Sequence, residues 1–442
     1  MSWEVVKIGG FLRNRDLRFK PNDPKIKGLQ RIEKIDFSGN IYISDKPSNT
    51  DMILIKKGDL VISGINVEKG AMAVYQGEDD ITATIHYSSY EFDTAKIDLD
   101  FLRNFLKSKK FTEALKKQVP GGIKTEIKPK HILPLELEMP TEIREQKIII
   151  KKFENEKDKV ESIDFEQTHQ LNLLKKLRQQ ILQDAVKGKL IPQDPNDEPA
   201  SKLLERIKTE KERLIYEKKT KIDKLLPEIQ PEEIPFEIPE NWVWCRLESL
   251  LIQRPQNGYS PVESKIGTGI KCLTLTSTTS GYFKSEFFKY VDVNIQNDSY
   301  LWLRPKDILI QRGNSIDYVG IAAIYSGLLN DFIYPDLMIK VRVSDFVNYG
   351  YIHKTLISPY LRKYFQNNAF GAQKSMPKIN QDVILKTPIP LPPIKEQNRL
   401  VSKIEQLMKI CDELERSIQQ NQKHTEELLQ VALKEALEPK IN

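Results

Sequence analysis

Ile143-Arg144-Glu145-Gln146 and Ile394-Lys395-Glu396-Gln397 write one pattern twice, 251 residues apart. The offset then holds without a gap for some forty residues. Ile149 maps onto Leu400, Phe153 onto Ile404, Val160 onto Cys411, Ile163 onto Leu414, Leu177 onto Leu428, Ile181 onto Ala432 and Ala185 onto Ala436, and every one of these positions is apolar. Upstream the copies drift but stay alignable. Trp3 and Trp242 open them, Gly39 matches Gly281, Asp59 matches Asp307, and Gly121-Gly122-Ile123-Lys124 matches Gly371-Ala372-Gln373-Lys374. The chain therefore carries two related units with different surfaces. Such an arrangement suits reading two different things at a fixed separation.

The repeated segments read as long helices with an apolar seam. At alternating steps of four and three, the first gives Ile149, Phe153, Val160, Ile163, polar Gln167 and Gln170, then Leu174, Leu177 and Ile181. The second gives Leu400, Ile404, Leu407, Cys411, Leu414, Ile418, polar Asn421 and Thr425, then Leu428 and Ala432. This is a coiled-coil spacing, and two such helices in one register are expected to bury each other. A helix over 143–190 would span roughly 70 Å at 1.5 Å per residue, a spacer's length. Pro140 and Pro392-Pro393 end the extended chain before each helix, and Glu-Gln in the first turn suits the positive helix end. Gly188 ends the first helix, with Pro192 and Pro195 beyond it. A further helix is expected over 200–222, and the four prolines in 227–239 read as an extended linker.

Ahead of each long helix the chain is loop-rich and of mixed type. Met52-Ile53-Leu54-Ile55 and Leu60-Val61-Ile62 flank the turn signal Lys57-Gly58-Asp59 and predict a hairpin, repeated at 303–310. Residues 101–117 and 349–366 have helical spacing. The expected fold class is α+β: two pseudo-repeated α/β units separated by a pair of long antiparallel coiled-coil helices. The boundaries read as 1–141 for the first unit, 142–222 for a central helical region, 223–240 for the linker, 241–392 for the second unit and 393–442 for a distal helix.

At 442 residues and 39% hydrophobic content the chain can build real cores. Net charge is +6, and both variable parts are positive: 17 Lys+Arg against 11 Asp+Glu in 242–392, and 23 against 20 in 1–140. A phosphate-facing surface has that sign, as does ordinary solubility charge. Cys245, Cys272 and Cys411 are far apart, which argues for a reducing compartment and against disulfide or zinc frameworks. The histidines are equally scattered, so no metal is expected. Met1 to Leu12 lacks the apolar run of a signal peptide and no stretch approaches 18 apolar residues, so a cytoplasmic protein is expected.

Catalytic signatures are missing in a consistent way. Amino-methylases need a short acidic or amide residue followed by Pro-Pro and an aromatic, whereas Pro392-Pro393 is flanked by Leu391 and Ile394. Gly188-Lys189 lacks the remainder of a P-loop. Pro335-Asp336 with Ile339-Lys340 hints at a metal-dependent nuclease, but Met338 stands where a carboxylate is required. A DNA-modifying or DNA-cleaving enzyme with an unrecognised active site stays open as the alternative, as does a coiled-coil scaffold.

Three long stretches carry a family resemblance. They are Lys187-Gly188-Lys189-Leu190-Ile191-Pro192-Gln193-Asp194-Pro195-Asn196-Asp197-Glu198-Pro199-Ala200-Ser201 with Leu203-Leu204-Glu205-Arg206-Ile207, then Pro235-Phe236-Glu237-Ile238-Pro239-Glu240-Asn241-Trp242, then Pro390-Leu391-Pro392-Pro393-Ile394-Lys395-Glu396-Gln397. In that order, and with the duplication, the chain resembles the specificity subunits of type I restriction-modification systems over its whole length. The first copy departs from the pattern, with Met139-Pro140-Thr141 in place of the proline pair. The resemblance implies a non-catalytic DNA-binding subunit whose two target-recognition domains, held apart by antiparallel helices, read a bipartite and interrupted double-stranded DNA target. It implies as partners two modification (methyltransferase) subunits, which hold S-adenosylmethionine, and restriction subunits that use ATP. The chain itself is expected to need no cofactor and no membrane.

Base reading needs Arg, Lys, Asn or Gln on protruding loops, whereas phosphate contact needs only charge or donors. In the second unit Gln311-Arg312-Gly313-Asn314-Ser315 follows an apolar strand, and the first unit's equivalent is Ser63-Gly64-Ile65-Asn66. A polar hairpin tip that touches only water fits the same pattern. The Gly-initiated loops 121–128 and 371–378 form a second pair, with Lys124, Lys128, Gln373, Lys374 and Ser375 as candidates, and a helix C-cap with solvated lysines as the other reading. Arg18 and Lys20, with Arg15 and Lys25 nearby, and Tyr259, Lys271 and Thr276, with Gln256 nearby, complete the candidate DNA-binding set. A basic stretch of this kind is also what a solvated face looks like.

Overall fold

The computed structural model describes residues 2–118, 126–217, 226–313, 315–370 and 377–438. It divides into two compact units, Met1–Gln170 with Ser417–Asn442 and Leu171–Arg416. Each long helix runs through both: Ile143–Val186 and Ile394–Ala436 are continuous over 44 and 43 residues.

In each unit a strand at the start pairs antiparallel with the strand that leads into a long helix. Trp3–Lys7 pairs with Glu136–Pro140, and Val243–Arg246 pairs with Pro388–Leu391. The repeated glutamine explains why the Glu-Gln signature recurs. Gln146 is fully buried, accepts from the Asp98 backbone N–H at 2.8 Å and donates to the carbonyls of Lys96 and Pro140, both at 3.0 Å. Gln397 does the same work in the other copy, accepting from Asn348 N–H at 2.9 Å and donating to Pro392 O at 2.8 Å. Asp98 and Asn348 are the N-caps of Leu99–Lys107 and Tyr349–Leu356, so one amide side chain fixes the long helix to the unit's own helical layer.

That layer corrects the expectation of one helix over 101–117 and one over 349–366. Each is broken at a serine: Leu99–Lys107 then Lys109–Gln118 around Ser108, and Tyr349–Leu356 then Pro359–Asn367 around Ser358. The Ser108 hydroxyl accepts from Phe111 N–H and the Ser358 hydroxyl from Leu361 N–H. A buried serine able to cap a new helix competes with continuing the old one. The helix expected over 200–222 is present as Ala200–Tyr216 with Glu217 as its C-cap, and 218–222 lie outside the described residues.

The expected hairpin is also corrected. Met52–Ile55 lies in a five-stranded sheet beside Ile81–Thr84 and Arg18–Phe19, whereas Leu60–Ser63 lies in a four-stranded sheet between Tyr87–Phe92 and Met72–Val74. The turn between them changes sheets, with Gly58 at φ +84°. Buried Asp59 holds this corner, accepting from Lys56 N–H at 3.0 Å, Ser89 Oγ at 2.8 Å and Arg15 Nε at 2.8 Å. In the other unit Lys306 takes the left-handed conformation at φ +76°, and fully buried Asp307 accepts from Arg304 N–H and, through both oxygens, from Arg342. The hairpins that form are Leu60–Ser63 with Met72–Val74 and Ile308–Gln311 with Ala322–Ile324.

The helix pairing is antiparallel in both units. In the first, Ile150 and Phe153 near the start of one helix share a core with Leu433 and Leu437 near the end of the other. In the second, Leu174, Ile181, Leu182 and Ala185 share a core with Leu400, Ile404, Met408 and Cys411. Arg178 there bridges to Asp412 at 2.7 Å and Glu415 at 2.9 Å. The seam is less buried than the spacing implied, since Ile163, Leu177, Leu414 and Leu428 are exposed. The proline-rich segment is not a free tether over its described part. Arg246 donates to Pro227 O and pairs with Glu233, and Phe236 packs edge-on against Trp244 and Tyr360.

Candidate nucleic-acid interface

The first unit's hairpin has two ends of opposite chemistry. At one end of the first unit's hairpin lies the tip 76–80, held by Tyr75, whose hydroxyl donates to Asp79 O at 2.8 Å, and carrying Glu78, Asp79 and Asp80. Three carboxylates, one of them paired with Lys57, make that end unfavourable for a phosphate backbone. The other end carries the loop 64–71, and there the two loop families found separately in the sequence meet. Gly64 accepts from Ile127 N–H at 2.9 Å, which sets Asn66 and Lys128 on one edge. A Cβ on Gly64 would stand 2.6 Å from Ile127 O, so glycine is required by the approach. The second unit repeats the arrangement, with Gly313 bridged to Lys378 and Arg312 N–H and C=O paired to Leu337 O and Ile379 N–H.

In the first unit Arg18 pairs with Asp16 at 2.7 Å and Lys20 with Asp51 at 2.9 Å, both on the surface. Exposed pairs of this kind contribute little and exchange readily for phosphate. Lys128 is exposed, 4.0 Å from Glu126. Arg18 and Lys128 line one small cleft with Arg15 and Tyr87. Arg15 is committed to the fold: the hydrogen bond to Asp59 holds its pKa above the usual arginine value, and Glu91 pairs with it at 2.7 Å. Asn66 is half-buried, and its carbonyl accepts from Lys69 and Ala71. Lys124 lies outside the described residues.

In the second unit Gln311 does not reach solvent as the loop pattern suggested. It ends its strand fully buried, and its Nε2 donates to Leu275 O at 2.9 Å and to the hydroxyls of Thr278 and Thr279 at 3.1 Å. It thereby anchors the short turn Leu275–Ser277, on which Thr276 is exposed. Arg312 is half-buried, with Nε donating to Ile379 O at 3.3 Å. Tyr259 is 49% exposed and its N–H donates to Tyr334 O, so Tyr259 and Arg312 both attach to the 334–338 turn. Lys271 stands apart, bound to Asp331 at 2.8 Å beside the far tip; that hydrogen bond raises its pKa. Asn314, Gln373, Lys374 and Ser375 lie outside the described residues.

Among the described residues the Asp336 and Lys340 side chains are held within the fold. Buried Lys340 donates to the carbonyls of Tyr300 and Trp302, with its pKa pushed down to about 8 by burial, while Asp336 is hydrogen-bonded to Ser260. Among the described residues no group of His, Cys, Asp or Glu is arranged to hold a metal ion, and no helix is long and apolar enough to cross a membrane. The three cysteines are buried and unpaired, and burial pushes the Cys272 thiol up to about 11. The sequence reading missed Gln146 and Gln397 as anchors, and it missed Arg362 and Gln366, described below. The twofold occurrence of Glu-Gln was a usable signal for the first pair, and the second pair left none.

Each of the two α/β units thus presents a loop edge of the same construction. Residues 240–423 match the family described as the type I restriction modification DNA specificity domain. The chain is 37% identical to the type I restriction enzyme EcoAI specificity subunit of Escherichia coli over 246 residues, 55% of this chain and 41% of the relative. It is 33% identical to the EcoEI specificity subunit of Escherichia coli over 263 residues, 57% and 44% of the two. The chain thus matches less than half the length of either relative. Among solved structures, a chain from a study of complex assembly and conformational transition in the type I R-M system shares the fold at TM-score 0.60 and 15% identity, covering 99% of this chain and 98% of that one. The HsdS subunit from Thermoanaerobacter tengcongensis does so at TM-score 0.51 and 16% identity, covering 99% and 97%. Over these matched segments the chain is similar to type I specificity subunits.

Proposed function

We propose that this chain is the DNA-recognition subunit of a type I restriction-modification complex, without catalytic activity of its own, reading a bipartite interrupted duplex. The observation that carries this reading is the duplicated edge, where Gly64 meets Ile127 in one unit and Gly313 meets Lys378 in the other. Each edge gathers polar and basic side chains at the end of its hairpin away from the far tip. We assign 1–141 and 241–392 as target-recognition domains, 142–222 and 393–442 as the conserved helical regions, and 223–240 as the segment joining the central region to the second domain. Arg18, Lys20, Lys124, Lys128 and Lys374 act on phosphate, whereas Lys271, paired with Asp331, does not. Asn66, Tyr259, Thr276, Arg312, Asn314, Gln373 and Ser375 face base edges, and Gln311 serves by holding Thr276.

The partners are two modification subunits, which bring S-adenosylmethionine, and restriction subunits in the full complex. Apolar side chains left exposed along the helices, Phe165 at 75% in the first unit and Leu173 and Ile410 at 47% in the second, supply surface for such partners. We place the complex in the cytoplasm, with the DNA. The test is incubation of the purified chain with DNA and tritium-labelled S-adenosylmethionine, alone and with modification subunits. The reading expects label on DNA only in the second mixture, at one bipartite sequence. Label transferred by the chain alone would overturn it in favour of an enzyme.

A further inference from the structure

The loop that follows Arg312 is built in an unusual way. Ser315 O accepts from the N–H groups of Tyr318 at 3.0 Å and Val319 at 3.2 Å, and Tyr318 O accepts from Ile321 N–H at 3.0 Å. The other three carbonyls are taken by side chains of one helix, Pro359–Asn367. Gln366 Nε2 donates to Ile316 O at 3.3 Å, Arg362 Nη2 to Asp317 O at 2.8 Å, and Arg362 Nη1 to Val319 O. Every backbone acceptor from 315 to 319 is therefore satisfied within the protein. Gly320 closes the loop at φ +76°, where a Cβ would stand 2.5 Å from the Phe365 ring of the same helix.

Arg362 hydrogen-bonds no carboxylate in this arrangement. Its guanidinium is half-buried and its hydrogen bonds go to backbone alone among the described residues; burial pushes its pKa down to about 10 against the opposing pull of the Asp317 charge. A protein that desolvates an arginine to hold a loop is fixing that loop's shape. The shape it fixes turns side chains outward: Ile316 is 44% exposed, Tyr318 38% exposed, and Asp317 is exposed between them. Neither the Asp317 carboxylate nor the Tyr318 phenol makes a hydrogen bond among the described residues. The loop leaves the hairpin at the end that carries Arg312 and Lys378, opposite the 326–330 tip.

We infer that Ile316, Asp317 and Tyr318 form a pre-shaped base-reading element of the second unit, and that Arg362 and Gln366 are the residues that position it. This rests on the DNA-recognition function proposed above. The chemistry fits a major-groove edge: an isoleucine side chain and the face of a tyrosine suit a thymine methyl, and a carboxylate accepts from the cytosine N4 amino group. Phosphate contact does not suit Asp317, which is anionic, or Ile316, which has no donor. A clamped loop also loses little entropy on binding, so its contacts translate into discrimination.

The test is enrichment from a randomised duplex library by the full chain bound to its modification subunits, with sequencing of the bound DNA. The wild-type chain should enrich two half-sequences at fixed spacing. Ile316→Ala/Asp317→Ala/Tyr318→Ala should keep one half-sequence intact and lose preference at two or three positions of the other. Its cognate-over-random ratio should fall by about 5- to 150-fold per lost base contact, the equivalent of roughly 1–3 kcal/mol. Asp317→Asn, which preserves shape, should alter preference at a single position and guards against misfolding of the triple variant. Arg362→Met should blur the same positions without altering the other half, and Arg362→Lys, which keeps one donor, should recover part of the preference. A loop variant that enriches both wild-type half-sequences unchanged overturns the inference. A wild-type chain that enriches no sequence at all contradicts the proposed function instead.

Discussion

Gln167 and Thr425 meet across the helix pair of the first unit, with Gln167 Nε2 donating to Thr425 Oγ1 at 3.3 Å and both residues buried. Each is one of the two polar positions that interrupt the apolar seam of its helix. The interruption is thus shared: one polar side chain answers the other. The Thr425 hydroxyl also donates to Asn421 O at 2.9 Å, while Gln167 Oε1 is buried with no hydrogen bond among the described residues. A buried polar pair fixes register and orientation at some cost in stability.

Thr425→Val should therefore destabilise the chain by about 1–3 kcal/mol, because it strands the Gln167 amide. Gln167→Leu/Thr425→Val should recover that loss or exceed wild type, since both polar groups leave together. Urea denaturation of the three proteins checks this, and a double variant as unstable as the single one would show that the pair is not coupled.

Arg312→Ala should weaken binding to the cognate duplex by about 1–3 kcal/mol and relax preference in one half-site only. The side chain is held by Ile379 O through Nε, and its terminal nitrogens make no hydrogen bond among the described residues. Equal loss in both half-sites would assign Arg312 to the backbone.

Lys128→Ala should lower affinity for cognate and random duplex alike, with the slope of log affinity against log salt falling by about one unit. Competition experiments at several salt concentrations measure it, and an unchanged slope removes Lys128 from the phosphate contacts.

His353 gives a pH dependence of stability that is independent of DNA. It is buried, its Nε2 lies 3.0 Å from both Gly281 O and Ala322 O, and burial pushes its pKa from 6.5 down to about 4. The unfolded imidazole takes up a proton below about pH 6.5 that the folded one refuses until about pH 4. Stability from this group is therefore full above pH 6.5 and is lost as pH falls towards 4, by up to about 3 kcal/mol. His353→Gln should flatten the denaturation profile across that window relative to wild type.

The helix pair was legible because a 251-residue repeat with heptad spacing admits few partners. The hairpin assignment went astray for a specific reason. Strand propensity marks Met52–Ile55 and Leu60–Ser63 as strands, but only the Asp59 network, closed by Arg15 from 44 residues away, turns the chain between sheets. Gln311 has the composition of a reader and the burial of a core residue, because strand register is set by tertiary pairing with Met338. The Arg362 clamp was invisible in sequence, since a side chain bonded to distant backbone carbonyls leaves no pattern in residue types. Asp16 beside Arg18, by contrast, could be seen at once.

The most direct test of the whole account is to shorten the helix pair and ask what DNA the complex then modifies. Residues 164–170 and 422–428 face each other about the Gln167–Thr425 contact, so removing both segments takes out one heptad from each helix and preserves the seam. The deletion shortens the pair by roughly 10 Å at 1.5 Å per residue, or about three base pairs at 3.4 Å each. Sequencing of methylated sites in cells that carry the variant with its modification subunits should show the same two half-sequences with a gap shorter by about three base pairs. Full methylation at the original spacing would contradict the account, because the paired helices would then not set the distance between the two readings.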